Sequence, residues 1–159
     1  MAVMALVIED HPDARLALKT LLEEIGYGVW EAGDGESGIA SATQNLPDVI
    51  ILDLMLPDMA GVDVLRRLKS EERSKAIPVV VVSAISRSDV MREAVQAGAS
   101  DYIVKPWSDN ELETVLEWVL TRAGKDAPIR TTRGLGLTPN DFWQRDHPDG
   151  RRSQADEPY

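Results

Sequence analysis

A chain of 159 residues with 27 Asp/Glu against 17 Lys/Arg, a net charge of −10, reads as one domain with at most an appendage, and its acidity argues against general affinity for nucleic acid or anionic lipid. The absence of cysteine excludes a disulfide framework, a thiolate metal site and a cysteine nucleophile, and fits a reducing cytosol. No apolar run approaches a membrane span, and Met-Ala-Val-Met-Ala-Leu-Val-Ile-Glu-Asp meets acid too early for a secretory leader, so a cytoplasmic, membrane-free protein is expected.

Val3 to Ile8 is a short apolar run that ends at Glu9-Asp10 and predicts a buried strand. From Ala14 the apolar residues fall at 14, 17, 18, 21, 22 and 25, one face of a helix, with Pro12 suited to its first turn and Gly26 to its C-terminal end. Tyr27 to Ala32 predicts a second strand, and Asp34-Gly35 a turn into a weaker helix reaching about Asn45. Gly38 in its interior costs roughly 1 kcal/mol against Ala.

Val49 to Leu52 is an unbroken apolar run with three β-branched residues, the pattern of a strand covered on both faces. Asp53 closes it, and Pro57 prevents a return to regular structure. Asp58-Met59-Ala60-Gly61 reads as a loop, followed by a short helix marked by Val62, Leu65 and Leu68. Ile77 to Ser83 is the most β-prone segment and predicts an interior strand. Ser88 or Asp89 is suited to cap the next helix, whose core face is Val90 or Met91, Ala94 and Val95, and which ends at Gly98. Asp101 to Val104 is a fifth strand, followed by Lys105-Pro106. Asp109 is placed to cap the last helix, with Leu112, Val115, Leu116 and Val119 inward.

Five strands alternating with five helices imply an α/β, doubly wound parallel sheet. Residues 1–122 hold the whole net charge of −10, while residues 123–159 balance to zero and show no apolar period. The latter read as a flexible tail with no output domain, and Phe142-Trp143 within it as a docking motif, a segment packed back on the domain, or part of plain disorder.

Ligands of open α/β sheets bind at the carboxyl edge of the strands. Here that edge would collect Glu9 and Asp10 from the first strand, Asp53 from the third, Ser83 from the fourth and Lys105 from the fifth. Clustered carboxylates repel unless a cation joins them, and oxygen-only ligands suit a hard ion such as Mg²⁺. A carboxylate can itself take up a phosphoryl group, with a metal and a lysine neutralising the transferred charge. Each residue alone reads as a cap or a solvated charge; the joint pattern does not. His11, beside the acid pair, reads as a loop residue rather than a second base.

With those residues in place, residues 4–122 resemble the receiver domain of two-component response regulators. The resemblance rests on Val-Ile-Glu-Asp at 7–10, Asp-Gly at 34–35, Ile-Leu-Asp-Leu-Met-Leu-Pro-Asp-Met-Ala-Gly at 51–61, Pro-Val-Val-Val-Val-Ser-Ala at 78–84 and Ala-Gly-Ala-Ser-Asp-Tyr-Ile-Val-Lys-Pro-Trp at 97–107. It implies a flavodoxin-like fold with strand order 2-1-3-4-5. It further implies Asp53 as phospho-acceptor, and Mg²⁺ held by Glu9, Asp10, Asp53 and the Met55 backbone carbonyl. Lys105 and Ser83 would act on the phosphoryl group, Tyr102 would be the switch aromatic paired with Ser83, and the bond before Pro106 would be cis.

The activity implied is a single-domain switch. It takes phosphate from a sensor histidine kinase or a histidine phosphotransfer protein, loses it slowly by itself, and acts on a downstream effector protein or relays the phosphate. A phosphorylation-independent interaction module is the alternative. An independent Mg²⁺-dependent phosphatase would need an acid where Met55 stands. Trp107 and Trp118 mark either partly buried helix edges or an interface, for a homodimer or an effector.

Overall fold

The structure, a computed structural model, describes residues 2–128; the predicted tail beyond Pro128, with Phe142-Trp143, lies outside the described residues. Five parallel strands, β1 (Met4–Ile8), β2 (Gly28–Ala32), β3 (Val49–Leu52), β4 (Val79–Ser83) and β5 (Asp101–Val104), form one sheet in the order β2-β1-β3-β4-β5. Each strand is followed by a helix: α1 (Pro12–Glu24), α2 (Gly35–Asn45), α3 (Gly61–Ser70), α4 (Ser88–Gln96) and α5 (Asp109–Arg122). This is the flavodoxin-like architecture and strand order expected from the resemblance.

The two sheet faces are separated by the period of two along each strand. Ala5, Val7, Val49, Ile51, Val80 and Val82 pack with α1 and α5. Leu6, Ile8, Ile50, Leu52, Val79 and Val81 pack with α2, α3 and α4. Because both faces are covered, β1, β3 and β4 have no room for polar side chains until they end, and the carboxyl edge is where polarity begins.

The helices differ from the sequence reading at two ends and on one face. Ser108, not Asp109, caps α5, its Oγ accepting from Glu111 N–H at 3.1 Å, and Asp109 is the first helical residue. Neither Ser88 nor Asp89 caps α4; Arg87 stands at the cap position without a side-chain bond. Of the expected core face of α4 only Ala94 is buried, with Val90, Met91 and Val95 half-exposed. Helix α4 therefore lies lightly on the sheet, whereas α5 buries Leu112, Val115, Leu116, Val119 and Leu120.

Gly38, which weakened the prediction of α2, has a packing reason. A Cβ there would lie 2.6 Å from Ile8 Cδ1, so the glycine brings α2 against the end of β1. Gly26 ends α1 with φ of 106°, a conformation that glycine adopts without steric cost. The packed chain also continues past Arg122: Lys125 Nζ pairs with Asp48 Oδ1 at 3.1 Å, and Ala127 packs on the α1/α5 core.

Candidate functional site

Strand register assembles the site. Ile8 pairs with Leu52, so the next residues, Glu9 and Asp53, emerge side by side, and the Asp53 amide donates to the Ile8 carbonyl at 3.0 Å. Ser83 pairs with Val104, so Lys105 follows at the same edge, its amide donating to the Ser83 carbonyl at 2.9 Å. The edge between β1 and β3 is also where the strand order reverses direction, the crevice that open α/β sheets use for ligands.

At the centre, Lys105 Nζ donates to Glu9 Oε1 at 3.0 Å and to Asp53 Oδ2 at 2.8 Å. Both carboxylates are buried, Glu9 at 2% and Asp53 at 7% exposure. The Met55 amide donates to Asp53 Oδ1 at 3.0 Å. Burial pushes the Glu9 carboxyl up to about 7, helped by its contact with Asp53 and opposed by Lys105. Burial also acts upward on Asp53, but the contact with Glu9, the Lys105 ammonium and the Met55 amide outweigh it and hold Asp53 below the usual carboxylate range. Asp53 is thus the more firmly ionised of the pair, and Glu9 the one that takes up a proton more readily as pH falls. On Lys105 desolvation acts downward, but its two carboxylate partners raise it above the ordinary lysine value, so it stays charged.

The remaining predicted residues surround this centre unequally. Ser83 is fully buried, its Oγ accepting a long 3.4 Å contact from the Ile85 amide. The Tyr102 hydroxyl donates to the Ile85 carbonyl, so Ser83 and Tyr102 meet through one loop residue. The Lys105–Pro106 bond is cis. Asp10 is exposed and does not join Glu9 and Asp53 in a cluster; among the described residues no group of three or more His, Cys, Asp or Glu could hold a metal ion as they stand. Met55 is 59% exposed at the mouth. Trp107 and Trp118 are half-buried against the α1/α5 core, and the Arg122 guanidinium lies 4.7 Å over the Trp118 ring. His11 caps α1, its Nδ1 accepting from the Ala14 amide at 3.4 Å.

Whether the residues suit a hard cation turns on one atom. Glu9 Oε2 is buried and has no hydrogen-bond partner among the described residues. A buried carboxylate oxygen left unpaired is costly, and its neighbour is a second carboxylate. The donors are all oxygen, the set Mg²⁺ prefers. The residues fit such an ion in kind, with the Glu9–Asp53 pair as its nucleus.

Two supporting residues were not legible in the sequence. Arg15 Nη1 donates to the Glu9 carbonyl at 2.9 Å and lies 3.5 Å from that of Asp10, bracing the backbone of the acid pair. Asp58 reaches from the β3–α3 loop to the start of α2. Arg15 had one available signal, its place on the first turns of a helix that begins beside the acids; Asp58 had none, its partners lying 23 and 22 residues earlier.

A doubly wound sheet with a buried acid pair and a lysine at its carboxyl edge defines a receiver-type site. Residues 5–117 match the family model of the response regulator receiver domain, and the chain belongs to that family. Among curated relatives, the phosphate regulon transcriptional regulatory protein PhoB of Pseudomonas aeruginosa is 36% identical over 137 residues, 84% of this chain and 59% of that protein. The DNA-binding dual master transcriptional regulator RpaA of Synechocystis is 36% identical over 143 residues, 86% of this chain and 59% of that protein. The chain thus spans about three fifths of the length of these two relatives. Among solved structures, the receiver domain of a Pseudomonas aeruginosa sensor histidine kinase, with magnesium coordinated in its active-site cleft, superposes with a TM-score of 0.72 at 26% identity, covering 76% of this chain and 99% of that one. A CheY-like receiver from Methanospirillum hungatei shares the fold, with a TM-score of 0.74 at 22% identity over 78% of this chain and 98% of that one. No helix among the described residues is long and apolar enough to cross a membrane.

Proposed function

We propose that this receiver takes a phosphoryl group onto Asp53 from a phosphohistidine of a sensor histidine kinase or a histidine phosphotransfer protein. The observation that carries the reading is the position of Lys105, in ion pairs with both Glu9 and Asp53 at the carboxyl edge of the sheet. A cation between two buried acids supports a site that manages changing negative charge, which is most of what phosphoryl transfer asks of a protein.

Glu9, Asp10, Asp53 and the Met55 backbone carbonyl would hold Mg²⁺, with Asp10 turning in from its exposed position. When bound, the ion supplies positive charge opposite the phosphoryl oxygens. The Asp53 carboxylate, kept ionised by its neighbours, attacks phosphorus in line. A phosphorus–oxygen bond forms as the phosphorus–nitrogen bond breaks, and the bonding pair leaves with the donor imidazole. Lys105 Nζ exchanges its carboxylate contact for a phosphoryl oxygen, and the Ser83 hydroxyl turns to donate to another.

Ser83 and Tyr102 share Ile85 as partner. Movement of Ser83 therefore disturbs the hydrogen bond that holds Tyr102, and this favours one of two arrangements of the β4–α4 loop. The lightly packed α4 is suited to follow. The output is a contact with an effector protein, onward relay of phosphate, or a homodimer through the α4–β5–α5 side near Trp107 and Trp118, in the cytoplasm. The chain promotes its own phosphorylation and slow hydrolysis but serves as a signalling switch. The reading is tested by incubating the wild-type and Asp53→Ala chains with a radiolabelled phosphohistidine donor and Mg²⁺. Label in the wild type alone is expected, and equal label in both would overturn it.

A further inference from the structure

Asp53 leads directly into the β3–α3 loop, and its orientation depends on that loop through the Met55 amide on Oδ1. A bridge between Met55 and Ala60, with the Gly61 amide donating to the Leu54 carbonyl at 2.9 Å, closes the loop. At its outer end Asp58 reaches across to α2. Oδ1 accepts from Gly35 N–H at 2.7 Å and Oδ2 from Glu36 N–H at 2.9 Å. These amides belong to the donors that a helix start leaves unpaired, and together they hold the Asp58 carboxyl below its usual range. Helix α2 has a cap of its own as well, Asp34 Oδ1 accepting from Ser37 N–H at 2.7 Å. Two acids therefore serve one helix end, and only Asp58 comes from the acceptor loop. An apolar tie runs beside it: Met59 packs on Gly35, where a Cβ would lie 2.5 Å from Met59 Cγ.

We propose that Asp58 is a positioning residue for the acceptor: by clamping the β3–α3 loop to the start of α2, it holds the Met55 amide that orients Asp53. This rests on the reading of Asp53 as acceptor. In-line attack needs a fixed carboxylate, and freedom in its support lowers the rate without changing any reacting group.

The test compares Asp58→Ala with Asp34→Ala in the full chain. Both remove a carboxylate from the same helix end, but only the first releases the loop. Hydrogen exchange at the Met55 amide, read by NMR without donor, is expected to accelerate about tenfold or more in Asp58→Ala and to stay unchanged in Asp34→Ala. Phosphorylation by acetyl phosphate at saturating Mg²⁺ is expected to slow about tenfold in Asp58→Ala alone. Asp58→Asn, which keeps one acceptor oxygen, falls between, and it serves if the alanine variant fails to fold. Unchanged Met55 exchange, faster exchange with an unchanged rate, or equal effects of Asp34→Ala would each overturn the proposal. If the wild type itself takes no phosphoryl group, the acceptor reading fails, while the exchange comparison still decides whether Asp58 holds the loop.

Discussion

Glu9 is the group whose protonation the fold alters most visibly. Its carboxyl titrates near 7 in the folded chain against 4.5 ordinarily, so the protonated form favours the folded state. That contribution is complete below about 4.5 and is lost as pH rises through about 7. Asp53 has the opposite sign: its depressed value gives a contribution present above its ordinary range and lost only as pH falls below it. Between pH 5 and 8 Glu9 therefore sets the slope. Without Mg²⁺, Glu9→Gln is predicted to be more stable than wild type at pH 8 by roughly 1–3 kcal/mol, and nearly equal at pH 5. Denaturant unfolding at the two pH values checks this; the same pH slope in both chains would show that Glu9 is not the titrating group. At this scale the sequence displayed the residues of the candidate site but not their supports. Glu9, Asp53 and Lys105 announce themselves at strand ends, whereas Arg15 and Asp58 act on distant backbone groups and look like ordinary solvated charges until the chain is folded.

Strands were more legible than helix ends. A strand buried on both faces must be apolar throughout, as β3 and β4 are, so burial and sequence carry the same information. A cap depends on a local choice between adjacent polar residues, and in Ser108-Asp109 either side chain was chemically able to serve. The face of α4 was only partly legible: its apolar residues have helical spacing, and Ala94 is buried with Val90 packed at the edge of the core, but Met91 and Val95 stay half-exposed. The glycines separate two kinds of close packing. A Cβ at Gly61 would fall onto the Leu54 Cα and the Asp53 carbonyl oxygen, which are backbone atoms at the end of β3. A Cβ at Gly38 would meet Cδ1, Cγ1 and Cγ2 of the fully buried Ile8, side-chain atoms rather than backbone. Gly61→Ala is predicted to cost about 2 kcal/mol or more. Gly38→Ala is predicted to cost less than Gly61→Ala, because its clash is with a side chain and helix propensity offsets part of the strain. Equal losses in thermal unfolding would contradict that distinction.

On the scale of the whole molecule, the doubly wound order places β1 and β3 together at the switch point and so converts two acids 44 residues apart into neighbours. Alternation of elements carried the fold class; the strand order came with the family likeness. The expected boundary at residue 122 lies short of the packed chain, since Lys125 pairs with Asp48, whose other oxygen accepts from the Met4 amide at 2.8 Å, and Pro128 lies against Gly26. Nothing in the polar composition after Arg122 signalled this. A chain ending at Arg122 is predicted to be about 1 kcal/mol less stable than one ending at Pro128; equal denaturation midpoints would show that the segment adds nothing.

Direct localisation of the phosphoryl group tests the central claim. The chain is treated with Mg²⁺ and acetyl phosphate, then reduced with borohydride, which converts an aspartyl phosphate to homoserine, and its peptides are sequenced by mass spectrometry. Homoserine at position 53, dependent on the donor, is the predicted result. Conversion at another carboxylate, or none in a chain shown to be folded, would contradict the assignment of Asp53 as acceptor.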